Sequence, residues 1–276
     1  MAANSFARRV AKQLLAPFLG DTTYQLIQSA AMAWDIRSGS LTEPELGLIP
    51  YAVRAGETAI DIGANYGVYS YHLSRALGPT GKVYAFEPIP FTAGAFRNIA
   101  RLLRFRGVEL IEKGCSDKAA TVEFNVPVQD SGAIIAGTVH MGARDNDRPG
   151  HERHARFQKT KKISCEVVAL DEYLGAIENV SFLKVDIEGA DLFALRGAKQ
   201  LLLRNKPVVV SEINPWFLEG FGLAPKEFTE FFDSIGYAMY RLENGRLRPK
   251  KTADIQEDNW VFVPPERHER MAALLG

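Results

Sequence analysis

From Glu57 onward the chain alternates short apolar runs with amphipathic stretches, and this regularity constrains its fold more than any other feature. Strands interleaved with helices in that order build an α/β fold around a mostly parallel sheet with helices on both faces. ETAIDIG is the first apolar run, followed by a helix from about Tyr66 to Leu77. GKVYAFEP is the second, followed by a helix from about Thr92 to Phe105, and GVELIEKG is the third. AATVEFNVPV reads as a hairpin arm, and ISCEVVALDEYL as a strand leading into a short helix with Asp171 as its N-cap. VSFLKVDIEG and PVVVSEI have the continuous apolar character of strands covered on both faces, with ADLFALRGAKQLLLRN as one amphipathic helix between them. A helix from about Pro225 to Ile235, a strand YAMYRL, a polar turn at Glu243 to Gly245 and a last strand NWVFVP complete the pattern.

Two boundaries follow. Residues 1–45 read as an N-terminal helical segment that packs on the fold or covers it, and residues 46–276 as one domain carrying an irregular insertion at about 129–162. With 276 residues, the chain is long enough to bury a large core without disulfides. Its 33 basic and 33 acidic side chains remove any global charge that would favour nucleic acid or an anionic membrane. The apolar part of the first twenty residues, LLAPFL, is short and interrupted by Pro17, so neither a signal peptide nor a membrane span is expected. Cys115 and Cys165 lack metal or redox spacing and read as buried thiols of a cytoplasmic protein.

In a parallel sheet of this kind, ligands bind beyond the carboxyl ends of the strands. DIGANYG follows the first strand: Gly63 and Gly67 permit a tight turn and close approach to a ligand, and Asp61 can meet an ammonium. The spacing is GxxxG, not the GxGxxG of pyrophosphate-binding nicotinamide enzymes. Glu87, at the end of the second strand, stands where an acid accepts both hydroxyls of a ribose. A nucleoside carrying an amino-acid zwitterion in place of a pyrophosphate satisfies both features, and S-adenosyl-L-methionine is such a molecule.

EPELG, AGETAIDIGANYGVYSYHLS, VYAFEPIP, FLKVDIEGADLFALRGAKQLL and PVVVSEI, in this order over roughly Thr42 to Ile213, resemble the FkbM-type S-adenosylmethionine-dependent methyltransferases. The resemblance implies a Rossmann-like class I methyltransferase fold of seven strands with the last antiparallel, and O-methylation as the usual reaction. It places Asp61, Gly63, Ala64, Asn65 and Gly67 around the cofactor's methionine end, Glu87 on the ribose, and Ser116 and Asp117 near the adenine.

Methyl transfer to a hydroxyl requires in-line alignment and removal of a proton. Asp186 and Glu188 follow the fourth strand of that fold and Glu212 follows the fifth. These three are the candidate catalytic residues, with Asp186 or Glu212 as the base. Asp186, Glu212 and Asn214 could alternatively hold Mg²⁺, which would lower the pKa of the acceptor hydroxyl. The expected acceptor is a hydroxyl of a small molecule or glycan. Between Arg144 and Lys162 seven Lys and Arg side chains face three acids, which suits an anionic or polar acceptor. HERH in that stretch lacks zinc-protease spacing, and Trp216 and Phe217 read either as a wall for a sugar ring or as core. N-methylation and a non-catalytic cofactor-binding role are the alternatives; DIEG is not the amide-aromatic motif that N-methylation would call for.

Overall fold

A computed structural model describes residues 21–127, 140–141, 160–256 and 258–275. In chain order the strands are β1 (Thr58–Ile62), β2 (Lys82–Phe86), β3 (Val108–Ile111), β4 (Gly114–Cys115), β5 (Ala120–Pro127), β6 (His140–Met141), β7 (Thr160–Val168), β8 (Val180–Val185), β9 (Val208–Ile213), β10 (Ala238–Glu243), β11 (Arg246–Pro249) and β12 (Asp258–Val263). The helices are α1 (Asp21–Ser38), α2 (Ile49–Ala52), α3 (Val68–Leu77), α4 (Pro90–Leu103), α5 (Leu170–Tyr173), α6 (Asp191–Arg196), α7 (Lys199–Asn205), α8 (Pro215–Glu219), α9 (Pro225–Ser234) and α10 (His268–Met271).

The main sheet runs β11-β10-β12-β9-β8-β1-β2-β3. β3, β2, β1, β8 and β9 are parallel, and the last strand, β12, lies antiparallel between β9 and β10. This is the mostly parallel, class I arrangement expected, with eight strands instead of seven. The turn at Glu243–Gly245 is a hairpin, and its return strand β11 pairs antiparallel with β10 at the sheet edge. β11 carries RLRP with one buried residue, Leu247, so it has no apolar run by which to be seen. A second sheet, β4-β7-β5-β6, stands apart, with β5 antiparallel along β7 from Ala120↔Val167 to Pro127↔Thr160. Residues 160–162, assigned above to an irregular stretch, are therefore strand; most of that stretch lies outside the described residues.

Alternation along the central strands sorts their side chains onto two faces. Ile60, Ile62, Leu183, Val185, Val209 and Ile213 point to one face, where they pack with Leu192 and Leu195 of α6, Leu201 and Leu202 of α7 and Phe228 and Phe232 of α9. Ala59, Phe182, Val208 and Val210 point to the other, against Tyr69, Leu73 and Leu77 of α3. The stretch read as a single helix is broken into α6 and α7 at Gly197, where an added Cβ would lie 2.1 Å from the Ser116 carbonyl oxygen. Asp171 does not cap α5: its carboxylate accepts the backbone N–H groups of Gln200 and Leu201, both at 2.8 Å, and so caps α7 across the fold. α1 packs on α4, with Ala33 and Ile36 against Tyr66, Ala95 and Ile99, and Gln25 Nε2 donates to the Phe91 carbonyl. Residues 1–20, and the helix expected in them, lie outside the described residues. No described helix is long and apolar enough to cross a membrane.

Candidate active site

The order of the main sheet reverses between β1 and β8, and a cavity of about 290 Å³ opens beyond the carboxyl ends of β1, β2 and β8. Gly63, Ala64, Asn65 and Tyr66 from the loop after β1, Glu87, Pro88 and Ile89 after β2, and Asp186, Ile187 and Glu188 after β8 line it. Glu43, Leu41 and Met32 cover it from the N-terminal side. The neighbouring loops lock together without room for a side chain. Gly63, at φ +78°, would place a Cβ 2.0 Å from the Asp186 carbonyl oxygen, and Gly67, at φ +80°, would drive one into the rings of Phe96 and Phe105. Both glycines are thus demanded by packing, whatever a ligand adds. Asn65 and Glu188 also adopt left-handed backbone angles, φ 47° and 56°, an uncommon conformation for residues with a Cβ.

Glu87 ties two of these loops. Its Oε2 accepts the N–H of Asn65 and its Oε1 the N–H of Ile89, both at 3.0 Å, and the Thr92 side chain also hydrogen-bonds this carboxyl. Burial pushes its carboxyl up to about 7 against the pull of those two N–H groups. Asp61, 2% exposed, accepts the Ser70 hydroxyl at 2.6 Å, and burial raises it to about 6 although Ser70 and Lys184 favour its charged form. The Asn65 side-chain oxygen is buried without a hydrogen-bond partner. Among the described residues, five carboxylates (Glu43, Asp61, Glu87, Asp186 and Glu188) and a single ammonium, Lys184, line the cavity. Such a lining suits a cationic ligand that also offers hydroxyl donors, and the sulfonium, ammonium and ribose of S-adenosyl-L-methionine meet both requirements.

Lys184, which the sequence offers as a partner for Asp186 or Glu188, pairs with Asp186. It is 2% exposed, and its register partner across β1 is Asp61. Its Nζ lies 3.3 Å from Asp186 Oδ2, 3.1 Å from Asn259 Oδ1 and 3.5 Å from the Val185 carbonyl oxygen, and 5.3 Å from the centre of the Tyr69 ring. Burial disfavours the ammonium, but Asp186, Glu43, Asp191 and Glu212 outweigh it and hold Lys184 above its ordinary range. The signal was available: a lysine inside the apolar run VSFLKV has to be paired with acids on its own face.

The three candidate catalytic acids differ in placement. Asp186 lines the cavity with its side chain 38% exposed and paired to Lys184, and Glu188 lines it as well. Glu212 lies beyond the lining; burial, then the charges of Asp186, Asp191 and Glu188, push its carboxyl up. Asp191, fully buried, accepts the N–H groups of Ile187 and Gly189 and so shapes the turn that carries Asp186 and Glu188. Asn214 Oδ1 accepts the N–H groups of Trp216 and Phe217 and caps α8. The set Asp186, Glu212 and Asn214 does not fit a divalent cation, because the amide oxygen serves the cap and an ammonium stands against Asp186. Among the described residues no three His, Cys, Asp or Glu side chains are grouped to hold a metal.

Ser116 and Asp117 do not line the cavity; Ser116 lies against Gly197 at the break between α6 and α7, and Asp117 is exposed. Phe217 is core, 5% exposed and in contact with Gly189, while Trp216 is half-buried beside it. Phe124 of β5 lines the cavity and was not singled out from sequence. Arg144, Arg148, Arg153, Arg156, Lys159, His151 and His154 lie outside the described residues. Cys115 and Cys165 are buried and unpaired.

A family model described as the methyltransferase FkbM domain matches residues 61–240. The chain is 29% identical over 145 residues to Methyltransferase 1 of Beauveria bassiana (strain ARSEF 2860), covering 50% of this chain and 57% of that protein. It is 29% identical over 174 residues to Methyltransferase sdnD of Sordaria araneosa, covering 56% of this chain and 66% of that protein. Each match thus spans less than two thirds of the relative's length. Among solved structures, the methyltransferase FkbM from Methylobacillus flagellatus KT is similar with a TM-score of 0.48 and 16% identity, over 93% of this chain and 59% of that one.

Proposed function

Because this chain belongs to the methyltransferase FkbM domain family, we propose that it is an S-adenosyl-L-methionine-dependent O-methyltransferase acting on a hydroxyl of a small molecule or glycan. When bound, the cofactor supplies an electrophilic methyl group on a sulfonium. The observation that carries the reading is the position of Glu87, whose carboxylate is held against the loop after β1 by the Asn65 N–H at the mouth of the acid-lined cavity. In this reading Glu87 takes the ribose hydroxyls, and Asp61, Gly63, Ala64, Asn65 and Gly67 surround the methionyl end. Ser116 and Asp117, outside the cavity lining, are left without an adenine role.

Asp186 is the proposed base. It lines the cavity, its side chain is partly open, and Lys184 fixes its orientation. Taking the proton of an acceptor hydroxyl at its carboxylate would contribute on the order of 10²–10⁴-fold to the rate. Glu212, pushed toward its neutral form by burial and by the charge of Asp186, is not the base in this reading, and Glu188 borders the acceptor side. The two unpaired buried cysteines support a cytoplasmic placement.

Isothermal titration with S-adenosyl-L-methionine and its demethylated product is the direct test, with NAD as control. Binding of both adenosyl compounds and inert NAD is expected, and tight NAD binding would overturn the assignment. Labelled methyl donor supplied with hydroxylated metabolites and glycans then identifies the acceptor, and the ¹³C chemical shift of the transferred methyl distinguishes an O-methyl from an N-methyl product.

A further inference from the structure

At the N-terminal side of the cavity two shielded oxygen atoms have no hydrogen-bond partner: Glu43 Oε2 and Tyr69 Oη. Both residues line the cavity, and Tyr69 is 4% exposed. Glu43 stands at the N-cap position of the 3₁₀ turn Pro44–Leu48, yet its side chain makes no capping bond. A buried carboxylate oxygen without a donor is costly, and such atoms mark places where a ligand completes the hydrogen bonding. We propose that Glu43 and Tyr69, together with Asp61, form the seat of the α-ammonium at the methionyl end of the bound cofactor. This inference rests on the cofactor reading above and extends it to a residue outside the span matched by the family model.

The chemistry of the donors selects an ammonium. The charge of Glu43 disfavours that of Asp61, and a cation between the two relieves that repulsion. Burial, then the charges of Glu43 and Glu45, push the Tyr69 phenol up; Glu43 and Tyr69 are close without reaching hydrogen-bonding geometry. A group that presents several N–H donors can satisfy both oxygens at once. Lys184, the one cation lining the cavity among the described residues, directs its protons to Asp186, Asn259 and the Val185 carbonyl and is committed there. A neutral hydroxyl offers one donor and no charge, whereas an ammonium offers three donors and the missing positive charge.

The test compares S-adenosylhomocysteine with its deamino analogue, which keeps the adenosyl thioether and the carboxylate but lacks the ammonium. Calorimetry on the full chain is expected to show Glu43→Gln weakening S-adenosylhomocysteine about 10- to 100-fold while leaving the deamino analogue within about twofold, since only a charge-assisted contact is lost. Tyr69→Phe is expected to shift the same ratio in the same direction by about 3- to 10-fold, and it carries the test alone if Glu43→Gln does not fold. Unchanged S-adenosylhomocysteine affinity in both variants, or equal losses for both compounds, would overturn the ammonium seat and leave the cofactor reading standing. A wild-type chain that binds neither compound would overturn both.

Discussion

The two faces of the central strands differ at neighbouring residues of the same chain. Leu183 and Val185 of β8 point into a closed apolar layer with α6, α7 and α9, while Lys184 between them, and Asp186 after them, point to the face that holds the cavity. Across the sheet Asp61 lies beside Lys184 in register, and Glu212 is paired with Asn259. One face therefore holds the fold by excluding water, and the other carries paired charge toward the strand ends, where the same exclusion of water makes each charge sensitive to its neighbours. The alternation of side chains alone thus keeps one face apolar and sets a charged cluster among the apolar residues of the other.

Asp186→Asn tests the charged face most severely. It is expected to lower turnover about 10²–10⁴-fold with cofactor affinity nearly unchanged, measured by initial rates alongside calorimetry; Glu212→Gln is expected to cost less. Full activity of Asp186→Asn would remove the base assignment. The stability contrast comes next. Lys184→Met is expected to destabilise the protein by about 3–5 kcal/mol by leaving Asp186 and its acidic neighbours without their cation, and Leu183→Ala by about 2–5 kcal/mol through loss of packing. Urea titrations at pH 7.5 and pH 5 separate the causes: the Lys184→Met loss should shrink at the lower pH as the acids take up protons, and the Leu183→Ala loss should not.

The pH dependence of the unliganded protein should show the same asymmetry. Glu87 and Asp61 titrate at about 7 and about 6 in the fold, above their ordinary values of 4.5 and 3.8, because both are buried. A carboxyl raised by folding holds its proton more tightly in the native state. Its contribution is full below its unfolded value and is lost as pH rises through its folded value. Thermal stability is therefore expected to fall between about pH 5 and pH 8, by on the order of 1–3 kcal/mol for Glu87, and Glu87→Gln should flatten that fall. An unchanged slope in Glu87→Gln would show that another group carries it. The smallest effect is expected for Asn214→Ala, which should cost about 1 kcal/mol by uncapping α8 and leave methyl transfer insensitive to added Mg²⁺. A restored rate with Mg²⁺ would return the metal reading.

Residue type was legible where the structural demand is local. Asp171 reads as a helix cap and is one, but it caps α7 instead of α5, since only the folded chain brings Gln200 and Leu201 to its carboxylate. Asn214 reads as a polar strand-end group open to metal or substrate, and a neighbouring helix start claims it. Ser116 and Asp117 follow a strand in sequence, but that strand, β4, belongs to the second sheet, so its end does not reach the cavity.

By itself the sequence determined the layered α/β architecture, the order of the parallel strands' carboxyl-end motifs, and the chemical type of ligand, because apolar periodicity and the residues that end each strand are properties of neighbours along the chain. Tertiary structure alone decided which carboxylates share a cavity, that Lys184 neutralises Asp186 from within the sheet, and that Glu43 arrives over the same space from a turn before β1. The physical reason is lateral register. Which side chains meet across a parallel sheet depends on how crossover helices return the chain, and no local pattern records that.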